Sequence, residues 1–206
     1  VTTPESPDIQ AYLAEMVRAG LTHCILETTS HGLAQGRVDA CDFDAAVITN
    51  VTHEHLDYHG SYENYLRAKG LLFESLSKTP RKRIGNLRAA VLNKDDQSYA
   101  YLKRVSPERQ VSYSMQNEAS LWADEIDNQP TELGFTCHFG EEKTLRVRTS
   151  MNGIYNVSNC LAALGLCVNL LGVPAETAVR ALASLPGVPG RMERIDLGQP
   201  FSAIVD

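Results

Sequence analysis

FDAAVITNVTHEHLDYHG, residues 43–60, is an apolar run that breaks into a polar edge and then into three histidines and two acids within seven residues. Continuous rather than alternating apolar residues are what a strand buried on both faces requires. Such strands belong to parallel sheets, whose ligands gather beyond the carboxyl ends. The stretch therefore predicts a buried strand over about 43–52 with a functional loop behind it. Upstream, HCILETTS (23–30) has the same form and predicts a second such strand. Before it, Ser6-Pro7-Asp8 followed by IQAYLAEMVRAG reads as a capped amphipathic helix that stops at Gly20. Downstream, SYENYLRAKGLLFESL (61–76) is helical, with Tyr65, Leu66, Leu72 and Phe73 spaced to make one buried face. RAAVLNKDD (88–96) is a further strand ending in carboxylates, followed by the helix QSYAYLKRV.

The pattern then changes. From about Gln110 to Arg148 short segments rich in Thr, Phe and Val, with turn signals such as Phe139-Gly140-Glu141, predict a small antiparallel sheet. NVSNCLAALGLCVNLLG (156–172) returns to a helical period, and PAETAVRALASL (174–185) is a helix with Pro in its first turn. MERIDLGQPFSAIVD (192–206) predicts a hairpin. Strands alternating with helices give an α/β fold, a mostly parallel doubly wound sheet with flanking helices and a small antiparallel subsheet. Residues 1–206 then form one domain that carries the antiparallel part, at about 110–150, as a subdomain. In this architecture the polar clusters at 27–37 and 50–59 lie at two strand ends and are expected to be neighbours.

Composition narrows the function classes. With 43% hydrophobic and 21% charged residues the chain has a globular profile. No apolar run approaches the roughly 18 residues that span a bilayer, so no membrane insertion is expected. The start, Val1-Thr2-Thr3-Pro4-Glu5, has no basic and apolar leader. A start without Met suggests an excised piece, and a cytoplasmic location is expected. Five cysteines (Cys24, Cys41, Cys137, Cys160, Cys167), odd in number and never in a C-x-x-C pair, read as reduced thiols acting as small hydrophobes. A net charge of −6 argues against nucleic-acid binding, and the basic run Lys78 to Arg88 reads as a solvated loop.

Two clusters carry candidate chemistry. In the first, Glu27-Thr28-Thr29-Ser30-His31-Gly32-Leu33-Ala34-Gln35-Gly36-Arg37, a carboxylate at the end of a strand is a hard ligand for a divalent cation. Gln35 and Arg37, on a loop with two glycines, suit a phosphate or carboxylate. In the second, Thr52-His53-Glu54-His55-Leu56-Asp57-Tyr58-His59-Gly60, two metal readings compete. One is a zinc hydrolase, since H-x-H-x-D-x-H approaches the H-x-H-x-D-H of metallo-β-lactamase-type enzymes. The spacing fails, because Tyr58 separates Asp57 from His59 where that motif needs contiguous ligands. The other is magnesium, with one histidine beside oxygen ligands. Lys69, on the following helix and close to its apolar face, can supply one such ligand. A buried ammonium loses its proton more readily, and a neutral amine adds carbon dioxide to give a carbamate. No G-x-x-x-x-G-K-[ST] phosphate loop occurs, nor any Gly-Lys dipeptide, nor G-x-G-x-x-G.

Three stretches together resemble the Mur ligases of peptidoglycan synthesis, and within them the type that makes UDP-N-acetylmuramoyl-tripeptide. They are TTP (2–4) with ETTSHGLAQGRVD (27–39), TNVTHEHLDYHGSYENYLRAKGLLF (49–73), and NGIYNVSNCLAAL through LPGVPGRMERIDLGQPFSAIVD (152–206). The resemblance covers essentially the whole chain and implies a central, ATP-binding domain trimmed at both ends. The family's phosphate loop and N-terminal uridine-binding domain would lie before Val1, and its C-terminal domain after Asp206. Position by position, it implies Glu27 and His55 as magnesium ligands and Lys69 as a carbamylated lysine at the ion held by His55, with His55 and Lys69 serving catalysis. It implies Thr2, Thr3, Thr29, Gln35 and Arg37 at the UDP-N-acetylmuramoyl-dipeptide, Asn159 at the adenine of ATP, and Arg191 and Asp206 at its ribose and phosphates.

Two positions depart from the family pattern. Thr29 stands where Ser is usual and keeps the hydroxyl; His53-Glu54 replaces Arg-Asp, and nothing in the sequence accounts for the lost positive charge. The implied reaction is ADP-forming amide ligation. ATP phosphorylates the D-glutamate γ-carboxylate, and the amine of an incoming amino acid, diaminopimelate or lysine, displaces phosphate. The residues 1–206 alone are expected to be inactive without the phosphate loop. A non-catalytic binding module on the same scaffold is the alternative from another class.

Overall fold

The computed structural model describes residues 3–52, 56–80, 82–83, 85–129, 132–141, 143–191, 193–195, 197–201 and 203–205. By density of contact the chain divides into two units, one of Val1–Ala46, Val51–Ala90 and Ala100–Arg109, the other of Val47–Asn50, Val91–Tyr99 and Gln110–Asp206.

The first unit is largely helical. Helix α1 (Ser6–Arg18) begins with Pro in its first turn, carries Asp8 there and Arg18 at its end, and so sets each charge against the opposite pole of the helix dipole. It stops where sequence places the stop, at Ala19 and a left-handed Gly20 with φ 76°. Its buried Ile9 meets Leu33 and Val38, and Leu13, Leu26, Phe43 and Leu72 close around them. Helix α2 (Ser30–Ala34) is short and capped by Thr29, whose Oγ1 accepts from the Gly32 N–H at 3.1 Å. Strand β1 (Ala45–Val47) leads towards helices α3 (Leu56–His59) and α4 (Tyr62–Lys78). Ser61 caps α4 by accepting from the Asn64 N–H at 3.2 Å. Tyr65, Ala68, Gly70, Phe73 and Leu76 are its buried side; Leu66 and Leu72, expected there, are only partly covered. Strand β2 (Ala89–Asn93) is buried at every position and is followed by helix α5 (Tyr99–Val105).

The strand expected at 23–30 is not formed. Residues 21–29 carry no strand pairing, and Cys24 and Ile25 are exposed, Ile25 to 93%. A strand exists only where a neighbouring strand takes its backbone hydrogen bonds, and among the described residues no strand pairs with this run.

The second unit holds strands β3 (Arg109–Ser114), β4 (Leu121–Asn128), β5 (Leu133–Phe139) and β6 (Lys143–Thr149). The six strands form one sheet in the order β1-β2-β3-β4-β5-β6. The bonds from Ala89 N–H to Asp44 O and from Ile48 N–H to Val91 O climb both chains in the same direction, as parallel strands do. β3 meets β4 in parallel through Tyr113–Leu121 and Ser114–Trp122, and antiparallel pairing begins at β4–β5 and continues through β5–β6. The expected antiparallel segment thus continues the parallel sheet. Tyr113, fully buried, donates its hydroxyl to Ile48 O at 2.8 Å and to Thr49 O at 3.2 Å. Helix α6 (Tyr155–Leu164) runs into a π-helical turn, Gly165–Leu170, and α7 (Ala175–Ser184) packs on β6. β7 (Glu193–Ile195) and β8 (Ala203–Val205) make the expected antiparallel hairpin.

Cys137 and Cys160 behave as the small hydrophobes the sequence suggests: both are buried, and burial pushes both thiols up to about 12. Iodoacetamide at about pH 8 is therefore expected to label exposed Cys24 in the native chain and to reach Cys137 and Cys160 only after unfolding, as peptide mass spectrometry will show. Because both folded values are raised from the ordinary 9.0, the stabilising contribution is complete below 9.0 and fades as pH rises through about 12.

Candidate functional site

The loop 27–37 is built around Thr3, which is only 1% exposed. Its hydroxyl donates to Glu27 O at 3.0 Å, accepts from the Thr29 N–H at 2.9 Å, and lies 3.1 Å from Thr29 Oγ1. The Glu27 side chain is left exposed at the head of the loop. Arg37 closes the other end. It donates from NH1 to Thr3 O at 2.9 Å and from Nε to Gln35 Oε1 at 2.8 Å, and pairs through NH2 with Glu5 at 2.9 Å. Thr3, Thr29, Gln35 and Arg37 are thus brought together.

Gly32 is required at the floor of this loop by close approach. A Cβ there would sit 2.9 Å from Thr3 Cγ2 and 3.2 Å from Thr29 Oγ1. Neither side chain can yield without giving up its hydrogen bonds. Gly32→Ala is expected to destabilise the chain by about 1–3 kcal/mol, read from the urea midpoint; an unchanged midpoint would show the loop is slack.

The second polar cluster lies against the first, as expected, though no strand leads into the first. Tyr58 and His59, at the end of α3, reach α2. His59 Nε2 and Ser30 Oγ share a hydrogen bond at 3.0 Å, and the His31 and Tyr58 rings lie 4.0 Å apart. Gln35 Nε2 donates to Tyr58 OH at 3.4 Å. On α4, Tyr65 packs its ring 5.4 Å from that of His59, and the Lys69 Nζ stands 5.2 Å above the Tyr65 ring. Tyr65 and Lys69 are four apart on one helix, which places them on the same face. The contact path from Ser30 to Lys69 therefore runs through His59 and Tyr65, two residues that the magnesium reading of the sequence left unused. The signal for Tyr65 was present in the sequence as its i, i+4 spacing from Lys69; none was present for His59.

Thr2, His53, Glu54, His55 and Asp206 lie outside the described residues. Among the described residues no group of three His, Cys, Asp or Glu side chains is placed to hold a metal ion. Of the three histidines of the zinc reading, His53 and His55 lie outside the described residues, and His59 shares a hydrogen bond through Nε2 with Ser30 Oγ. In the other unit, Asn159 is exposed on α6 and donates from Nδ2 to Asn156 Oδ1 at 3.0 Å. Arg191 is exposed and closes a turn from its N–H to Val188 O at 3.0 Å. Lys82, in the basic run, is paired with Asp44 at 2.6 Å. No helix among the described residues is long and apolar enough to cross a membrane.

Comparison with known proteins agrees with this arrangement. Residues 1–167 match the family model of the Mur ligase middle domain. The chain is 40% identical over 208 residues to the UDP-N-acetylmuramoyl-L-alanyl-D-glutamate–2,6-diaminopimelate ligase of Geobacillus thermodenitrificans, covering 100% of this chain and 41% of that protein. The Streptomyces coelicolor ligase of the same name is 38% identical over 207 residues, covering 100% and 39%. A solved structure of a ligase of that name superposes with a TM-score of 0.81 at 31% identity, covering 95% of this chain and 39% of that one. MurF from Acinetobacter baumannii follows with 0.67 at 25%, covering 80% and 34%. The chain spans about two fifths of the length of the curated relatives it matches. It is a Mur ligase family member, and what it contributes is the middle domain.

Proposed function

We propose that these residues are the ATP-binding middle domain of a cytoplasmic, ADP-forming ligase that joins 2,6-diaminopimelate to UDP-N-acetylmuramoyl-L-alanyl-D-glutamate during peptidoglycan synthesis. The observation that carries this reading is the likeness, along the whole chain and at 40% identity, to a ligase of that name. The sequence by itself leaves diaminopimelate and lysine equally open; the names of the relatives favour diaminopimelate.

The site residues take the following parts. Gln35, Thr29 and Arg37 face the muramoyl-dipeptide, with Thr3 acting through Thr29 and the Arg37 guanidinium. The Glu5 carboxylate, 64% exposed, holds Arg37 NH2, and an anionic group of the substrate takes its place. Thr2 belongs to the same set. Asn159 meets the adenine, and Arg191 and Asp206 the ribose and phosphates of ATP.

Glu27 and His55 are magnesium ligands at two separate ions, Glu27 at one near the ATP phosphates and His55 at the other. At the second ion a lone imidazole is an oxygen-poor set for so hard a cation, and among the described residues no trio of acids, histidines or cysteines makes up the shortfall. An oxygen donor on Lys69, as a carbamate, supplies what is missing, and the partly buried position of Lys69 on α4 suits it. Magnesium, when bound, offsets the repulsion between the substrate carboxylate and the γ-phosphate. The residues of this chain hold the two anions in register, a positioning role.

The test is tripeptide formation by the full-length protein with ATP, magnesium, the dipeptide substrate and either amino acid. The expected result is phosphate release dependent on diaminopimelate. Turnover with lysine alone would overturn the choice of amino acid, and no turnover with either would overturn the ligase reading. The 206 residues by themselves, which contain no Gly-Lys phosphate loop, are expected to form no tripeptide.

A further inference from the structure

His59 sits where three elements meet, and each part of it is held. Its backbone carbonyl accepts from Asn64 Nδ2 at 3.0 Å, which ties the end of α3 to the first turn of α4. Its Nε2 shares a hydrogen bond with Ser30 Oγ at 3.0 Å, and Ser30 is only 2% exposed, the first residue of α2. Its ring lies 5.4 Å from that of Tyr65 and 5.3 Å from that of His31. Tyr65, 4% exposed, is the ring over which the Lys69 amine stands. A buried hydroxyl and an imidazole bonded to each other fix a distance, because breaking that bond leaves a desolvated polar group behind. A lysine amine facing an aromatic ring follows that ring when it moves.

We infer that His59 is a positioning residue: it clamps the loop 27–37 to helix α4 through Ser30, and seats the Tyr65 ring that places the Lys69 amine. This rests on the ligase reading for its catalytic consequence, but not for its structural one. The geometry makes Ser30 and His59 a single device, so removing either partner should have the effect of removing both.

Two measurements test it. The first uses this chain alone and competitive acetylation read by mass spectrometry, with Lys78 and Lys103 as internal references. His59→Ala is expected to change the acetylation rate at Lys69 by about fivefold or more with the references unmoved, as loss of one packed hydrogen bond would. Ser30→Ala should match it, the double variant should add little, and His59→Gln, which can keep a bond to Ser30, should recover much of the difference. Lys69 unchanged in His59→Ala overturns the inference, as does a common rise at all three lysines, which marks general loosening. The second uses the full-length ligase. His59→Ala should lower kcat by about tenfold or more with KM for ATP within about twofold, the mark of a lost orientation rather than lost binding. A loss confined to KM for ATP overturns the positioning role. A wild-type protein that forms no tripeptide, with the acetylation result intact, removes the ligase reading and leaves the clamp standing.

Discussion

Lys69→Ala in the full-length ligase is expected to lower kcat by about 10²-fold or more, a loss of the size seen when a group that stabilises transition-state charge is removed. The chain's fold should barely notice. Lys69 is partly exposed, and its amine contacts the face of Tyr65 rather than a packed core, so the urea midpoint of the 206-residue chain should move by no more than about 0.5 kcal/mol. Lys69→Arg should not restore turnover, because a guanidinium stays charged and cannot present oxygen to a cation. The pairing of a large kinetic loss with unchanged stability is what separates a ligand-bearing group from a packing one. Turnover by Lys69→Ala within about threefold of wild type would remove Lys69 from the proposed site.

Phe73→Ala is expected to reverse that balance and destabilise the chain by about 3–5 kcal/mol, from lost transfer energy and the cavity left behind. Phe73 is 1% exposed, on the same helix one turn past Lys69, and with Tyr65, Ala68 and Leu76 it forms the side that seats α4. Against a typical domain stability of about 5–15 kcal/mol this is a large fraction, so the urea midpoint should fall markedly. Leu71 is the control. It is 46% exposed on the opposite side of the helix, and Leu71→Ala should move the midpoint by about 0.5 kcal/mol or less. Equal and small effects at both positions would mean that α4 does not rest on that side.

The sequence was legible where a local period decides the outcome. Helix α1 stops at Gly20, α4 covers 62–78 against the expected 61–76, and the hairpin at the end of the chain pairs as read. The clusters at 27–37 and 50–59 are adjacent as expected, through Ser30–His59 and His31–Tyr58, although one of the two strands on which that expectation rested, at 23–30, is not formed. Residues 23–30 were misread because an apolar run looks the same whether or not a partner strand takes its backbone, and pairing is not written in composition. That also explains Cys24, expected inside and found outside. The bond between His59 and Ser30 was not readable for a different reason: which ring nitrogen faces which hydroxyl depends on how α2 packs on α4, and a motif gives the residue types without that packing. A small antiparallel sheet was expected from about Gln110 to Arg148, but its first strand, β3, pairs with β4 in parallel, through a contact eight residues apart, Tyr113 with Leu121, below any periodic signal.

The strand order of the six-stranded sheet follows the order of synthesis. Each of the six described strands can dock on the edge left by its predecessor while the rest of the polypeptide is still on the ribosome, and none of them must wait to be inserted between two others. Loops between successive strands in the antiparallel portion are short, which keeps the entropy of closing them low and favours rapid zipping. The growing edge of such a sheet is covered by the next residues to emerge, which limits the window in which that edge can mispair with another chain.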